Sequence, residues 1–308
     1  MAIPTTRTKE CAKITINIEK CCGCGKCVEV CKDFGLTLTN EKVKVSETPF
    51  FGCIACGHCM AVCPNNAITI HGRTLSPDDI FDLPPTENTA NYQKLLALLQ
   101  RRRSIREFTD KKVETEIVER ILEAAKTAPM GYPPSDVNLL VFDTKEKNRK
   151  FAKDFCVYLK DTKWFVSKWF LTLMRPFLGK ANYETFCKFI RPAIDAYIGG
   201  MEKGNNLINY DAPLAIYFYG SPYTDPADPI VAATTAMYAA ESLGLGTCML
   251  GAIHPFIQYG GKAKKFREKY KIKYPSKEGV FVIFGYPAVK YQKGLKRTFA
   301  SVTIVNDE

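Results

Sequence analysis

The chain has 308 residues, is 46% hydrophobic and 24% charged, and carries a formal net charge of +11. That is chain enough for one large domain and one small one, each with a core, and it excludes collagen-like, disordered and disulfide-stapled secreted classes. The apolar stretch from Trp164 to Leu178 is short and broken by Lys168 and Arg175, the first ten residues lack the apolar core of a secretory signal, and no nucleic-acid motif accompanies the charge, so a cytoplasmic chain without a membrane span or a nucleic-acid partner is expected.

Along the chain, Ala12 to Glu19 alternates polar and apolar residues as a strand, and Asn66 to Ile70 reads as its return partner. Between them lie most of the thirteen cysteines, in two runs: Cys21, Cys24, Cys27 and Cys31, then Cys53, Cys56, Cys59 and Cys63. Both runs read C-x2-C-x2-C-x3-C and repeat at about 32 residues. Grouped thiols of this kind point to metal ligation in a reducing compartment. Three cysteines two residues apart can wrap one face of a cubane, and Gly23, Gly25, Ala55 and Gly57 let the backbone approach it. Zinc is the alternative, although zinc sites more often pair two C-x2-C units.

Residues 72–90, with Ser76-Pro77-Asp78-Asp79 and Leu83-Pro84-Pro85, read as a linker with one helical turn. Tyr92 to Arg103 spaces its leucines as a helix and runs into Arg101, Arg102, Arg103, Ser104 and Arg106, a run able to neutralise a phosphate. Glu114 to Lys126 is a second amphipathic helix, Val137 to Phe142 a strand, Ala232 to Leu243 an alanine-rich helix, and Gly279 to Phe284 a closing strand. Residues 150–210 separate two strands and are rich in aromatics interleaved with Lys160, Lys163, Lys168 and Arg175; Pro176 and Pro192 are expected to divide them into helices. Three roles stay open for this insertion: ordinary core, a lid over a substrate pocket, or a membrane-surface patch. His254 is a candidate proton donor or a structural turn histidine, and Cys156, Cys187 and Cys248 read as small apolar packers.

The segment from about residue 10 to 75 resembles bacterial-type two-cluster ferredoxins, with Lys32 after Cys31 where the family commonly has proline, and with Pro64 in place after Cys63. The resemblance implies two [4Fe-4S] clusters, one held by Cys21, Cys24, Cys27 and Cys63, the other by Cys53, Cys56, Cys59 and Cys31. Cys22 and Cys11 are left over. Farther on, Arg-Arg-Ser-x-Arg at 102–106, Ala-Pro-x-Gly at 128–131, Gly-Leu-Gly-Thr-Cys at 244–248 and Gly-Tyr-Pro-Ala at 285–288 before Leu295-Lys296-Arg297 are, in this order, similar to the FMN-dependent nitroreductase superfamily.

Together the two resemblances imply an α+β chain. Residues 1–75 would form the two-cluster ferredoxin domain, 76–93 a linker, and 94–308 a nitroreductase-type α+β sandwich with a helical insertion at 150–210, forming an intertwined homodimer with FMN at its interface. Arg102, Ser104, Lys296 and Arg297 would hold the FMN phosphate, Arg103 the ribityl chain and Arg106 the N1/O2 edge of the ring. Leu250 and Gly251 would face N5, and the Pro129–Ser135 loop would come from the partner subunit. Pro133 and Ser135 stand where the family often has Asn and Gln, so substrate preference does not carry over.

The function implied is an oxidoreductase. Electrons from reduced ferredoxin or a similar low-potential donor would pass through the clusters to FMN and on to an aromatic, quinone, nitro or unsaturated small-molecule acceptor. The alternatives are a non-catalytic electron carrier or redox sensor docking with a larger complex, and an NAD(P)H-dependent nitroreductase.

Overall fold

The structure, a computed structural model, describes residues 8–305. The alternating segment near the start forms the strand Lys13–Ile16 (β1), paired antiparallel with Ile68–His71 (β4) so that Ile14 faces Ile70 and Ile16 faces Ile68. Between them come the helix Lys26–Val30 (α1), the hairpin Leu36–Thr39 (β2) and Lys42–Val45 (β3), and the short helix His58–Ala61 (α2). Asn40 and Glu41 turn the hairpin with φ of 50° and 56°, the double left-handed conformation that matches strand twist.

The sequence repeat is also a backbone repeat. Gly23 and Ala55, then Gly25 and Gly57, all have positive φ, and each pair is followed at once by its helix. At Gly23 a Cβ would stand 2.1 Å from the carbonyl oxygen of Glu41, so only glycine fits. The small core beneath is built from Ile68, Ile70, Leu36, Val43 and Met60 together with buried Cys21, Cys27 and Cys59.

The linker holds two single 3₁₀ turns, Pro77–Asp79 and Thr86–Asn88, rather than one, and neither buries a residue. Ser76 starts the first through a capping box with Asp79. The second unit runs Tyr92–Arg101 (α3), Thr115–Lys126 (α4), Val137–Phe142 (β5), Lys145–Thr162 (α5), Lys168–Thr185 (α6), Arg191–Glu202 (α7), Leu214–Gly220 (β6), Asp228–Ser242 (α8), Gly246–Leu250 (β7), Ile253–Phe256 (α9), Gly261–Lys269 (α10) and Gly279–Gly285 (β8). Its sheet has the order β5-β6-β8-β7, each neighbour antiparallel.

The central strands β6 and β8 are buried throughout. Because successive side chains point to opposite faces, Tyr217, Tyr219, Phe281 and Ile283 join one core with α5 and α7, while Ile216, Phe218, Val282 and Phe284 join the other with α4 and α8. Phe151 of α5 anchors the first core. It is 1% exposed and packs against Phe142, Phe155, Phe266 and Phe281. Phe151→Ala should therefore cost about 3–5 kcal/mol, a fall in Tm on the order of 10 °C by calorimetry.

The insertion divides differently from the expectation. Pro176 does not interrupt the α6 run. The break falls at Gly179, whose φ of 71° and ψ of 166° no helix contains. Pro192 lies in the first turn of α7, where a missing N–H is tolerated, directly after a π-helical segment, Phe186–Ile190. The inner helices α5 and α7 are core, through Phe155, Leu159, Ile194 and Ile198. The outer α6 buries Leu171 alone and leaves Trp169, Leu173 and Phe177 exposed, the last at 82%. Among the described residues no helix is long and apolar enough to cross a membrane.

Candidate functional site

The end of α3, the tight turn into β7 and the long extended segment after β8 converge on a cleft of about 1200 Å³. It is lined by Arg101, Arg102 and Arg103, by Gly244, Leu245 and Gly246, and by Pro287 and Val289 through Thr298, which bring Lys290, Lys293, Lys296 and Arg297. Two hydrogen bonds fix this geometry. The Ile105 N–H donates to the Thr247 carbonyl at 2.9 Å, and the Thr109 N–H to that of Tyr286 at 2.9 Å. Gly246 is required because a Cβ there would stand 2.7 Å from Ile105.

The cleft is strongly cationic, with Glu241 as its carboxylate. Burial pushes the Glu241 carboxyl up from its usual value, against the pull of Arg101, Arg102 and Arg103. Among the five buried side-chain polar atoms that lack a hydrogen-bond partner among the described residues are Arg102 Nη1, at the cleft, and Thr247 Oγ1, next along from its Gly246 wall. A buried guanidinium N–H left without an acceptor, in a pocket of cations, fits an anionic ligand such as a phosphate.

Arg102, Arg103, Lys296 and Arg297 line this one cleft. Ser104 sits beside them, bridged to Thr247. The Arg106 guanidinium instead lies over the Tyr210 ring, 5.7 Å from its centroid. Leu250 is half-buried at the end of β7, and Gly251 follows it in a turn. Pro129 and Ser135 line a separate, mostly apolar pocket of about 410 Å³, with Leu122, Met130, Leu139, Phe218 and Asp228. None of the residues lining the cationic cleft comes from 150–210, so within one protomer the insertion is not its lid.

His254 is 5% exposed. Its Nδ1 lies 2.9 Å from the Tyr217 hydroxyl and 3.2 Å from Gln258 Nε2, and burial lowers its pKa. It lines neither pocket and braces β6 against α9. Cys156 and Cys248 are buried as expected of packers, and Cys187 is half-buried.

Sequence reading missed Glu241, Lys290 and Lys293 as cleft residues. The two lysines carry a signal in the charge run between Ala288 and Arg297; Glu241 carries none. It also missed a neighbouring cluster: Tyr286 donates to the Glu114 carboxylate at 2.6 Å, and Lys111 stands 2.9 Å from the same group. These contacts, the tyrosine hydroxyl first, hold Glu114 at about 2, well below its usual 4.5. The stabilisation is present above about pH 4.5 and is lost as pH falls through the folded value. Tyr286→Phe should lower Tm at pH 7 by more than at pH 2.5, a narrowing that thermal melts across that range would measure.

In the first unit, the thiols fall into two neighbourhoods. Burial, then the nearby Cys53, Cys56 and Cys31 thiols, pushes Cys59 up to about 12. Burial raises Cys53 too, with Cys56, Cys31 and Asp33 adding to it. Burial likewise raises Cys27, beside Cys63 and Cys24. Cys21 is lowered by hydrogen bonds from the Val43 and Gly23 backbone and by Lys42. The Ala67 N–H donates to Cys63 Sγ at 3.2 Å. Among the described residues no three His, Cys, Asp or Glu side chains are gathered tightly enough to hold a single metal ion. The thiols that influence one another fall into the sets Cys24, Cys27 and Cys63, and Cys31, Cys53, Cys56 and Cys59, and thiols are the donors that iron–sulfur clusters take.

A sequence model of the nitroreductase family matches residues 99–286, beginning beyond the cysteine-rich segment. The FMN reductase [NAD(P)H] of Bacillus subtilis (strain 168) is 30% identical over 156 residues, which is 49% of this chain and 51% of that protein, so the chain spans about half the length of this curated relative. Among solved structures, a nitroreductase with bound FMN from Bacteroides fragilis NCTC 9343 superposes with a TM-score of 0.50 at 18% identity, covering 70% of this chain and 100% of that one. A nitroreductase with bound FMN from Desulfitobacterium hafniense DCB-2 gives 0.48 at 21% identity, over 68% and 97%.

Proposed function

Because the chain belongs to the nitroreductase family, we propose that it is an FMN-dependent oxidoreductase that carries its own two-cluster ferredoxin domain. The reading gives residues 1–75 to that domain, 76–93 to a linker and 94–308 to the flavin domain. The observation that carries the flavin assignment is the buried, unpartnered Arg102 Nη1 in a cleft shared with Arg103, Lys296 and Arg297, and the repeated cysteine runs support the ferredoxin part. When bound, the clusters would supply single electrons at low potential and FMN would store two for delivery to an acceptor.

The residues then divide the work. Arg102, Ser104, Lys296 and Arg297 would bind the FMN phosphate, and Arg103 would orient the ribityl chain. Arg106, which lies over Tyr210 in the single chain, would supply a cation for the N1/O2 edge, and the backbone at Leu250 and Gly251 would be the segment toward N5. The quartet Cys21, Cys24, Cys27 and Cys63 holds one [4Fe-4S] cluster, and Cys53, Cys56, Cys59 and Cys31 hold the other. The active unit is a homodimer. Leu95 and Leu99 of α3, and Leu295, Phe299, Val302 and Ile304 after β8, are apolar yet exposed in the single chain, and a second copy would cover them. The acceptor is an unsaturated, quinone-like or nitro-substituted aromatic compound.

Anaerobic material should contain iron and FMN, and reduced low-potential ferredoxin should bleach the flavin and drive turnover of such acceptors. A colourless chain that refuses FMN would end the reading. The Bacillus subtilis relative is named for NAD(P)H, which favours a second reading in which the pyridine nucleotide reduces the flavin directly. Rapid bleaching by NADH or NADPH, with slow bleaching by ferredoxin, would select it.

A further inference from the structure

Arg73 follows β4 in a tight turn, with φ of 53° at Arg73 and 68° at Thr74, and its residue is only 7% exposed. Nε donates to the Ile54 carbonyl at 3.1 Å, and Nη1 to the Glu10 carbonyl at 2.8 Å and to Thr8 at 3.4 Å. Nη2 donates across to the Pro133 carbonyl at 2.7 Å. Ile54 lies between Cys53 and Cys56, and Pro133 lies in the Ala128–Ser135 loop of the second unit. The far side of that loop is tied to α8, where the Gly131 N–H donates to Asp228 Oδ1 at 2.9 Å. The linker between the units buries nothing in its two turns.

A planar guanidinium with fixed donors is suited to joining several carbonyls at once, which a lysine is not. We infer that Arg73 is a positioning residue that clamps the Cys53–Cys59 ligand loop onto the Ala128–Ser135 loop. The clamp makes the Cys31, Cys53, Cys56 and Cys59 centre the one that faces the flavin domain. This rests on the proposed function for its consequence, since electron transfer slows steeply with separation, but the clamp itself does not depend on bound cofactors.

The test uses holoprotein carrying Arg73→Met or Arg73→Lys. Hydrogen exchange at residues 53–57 and 131–135 should rise in both variants, with iron and FMN contents unchanged. Anaerobic mixing with reduced methyl viologen, each molecule giving one electron and two being oxidised per FMN reduced, should bleach the flavin at least tenfold more slowly in both. The reduction potential of the facing cluster should move negative in the methionine variant, which loses a nearby cation, and stay near wild type in the lysine variant. Wild-type exchange at 131–135 in both variants, or wild-type bleaching despite raised exchange, overturns the inference. So does loss of iron from both, which would place Arg73 inside the cysteine unit alone. A wild type without iron or flavin would instead sink the functional reading, and the exchange result would still judge the clamp.

Discussion

Cys59→Ser should remove about half of the roughly eight iron atoms per chain that two [4Fe-4S] clusters require, while Cys22→Ser should remove none. Cys59 is buried in the small core beside Cys53, Cys56 and Cys31, whereas Cys22 is exposed and outside both quartets. The core of this unit is partly made of cysteines, so metal and fold are coupled. Chelation should melt residues 8–75 and leave the larger sandwich intact. Iron analysis with low-temperature EPR of both variants decides it. Equal iron in Cys59→Ser and wild type, or loss of iron from Cys22→Ser, would contradict the assignment of the second run.

Arg102→Ala should weaken FMN binding by about 1.5–3 kcal/mol, or roughly 10- to 150-fold in Kd. Its Nη1 is buried and lacks a protein acceptor, so a phosphate would gain a desolvated, charge-assisted hydrogen bond there. Lys296→Ala should cost less, below about tenfold, because Lys296 is exposed and screened by salt. Titrating the apoprotein with FMN at two salt concentrations separates the two. Most of the Lys296 effect should vanish at high salt, and most of the Arg102 effect should survive it. An Arg102→Ala protein that binds FMN like wild type would move the phosphate elsewhere.

Legibility in the sequence followed locality. The cysteine runs announce themselves because a ligand loop is built from neighbours, and its positive-φ positions are marked by glycine and by the repeat itself. Strands β1, β4, β5 and β8 were visible from alternation or from continuous apolar runs bounded by turns. Strand β7, Gly246–Leu250, was visible only as a motif, since five residues with two polar or small ones have no period to detect. The position of the helix break was misjudged because proline is the louder signal. Yet Pro176 is accommodated within α6, and Gly179 adopts the conformation that breaks it. Arg73 and Glu241 were invisible for another reason. Each matters through a contact with residues far along the chain, and no spacing rule encodes that.

The break at Gly179 has a bearing on how this protein can change. Nothing lies within 4 Å of where its side chain would be, and the outer arm that leads into it shows Trp169, Leu173 and Phe177 to water while Phe151, Phe155 and Ile194 hold the interior. Mutations at the exposed positions of that arm, Leu171 apart, leave the tightly packed layers untouched, so drift there carries little folding penalty. The arm is the part of the molecule where new surface preferences can be tried by natural variation while the scaffold that carries the chemistry stays as it is.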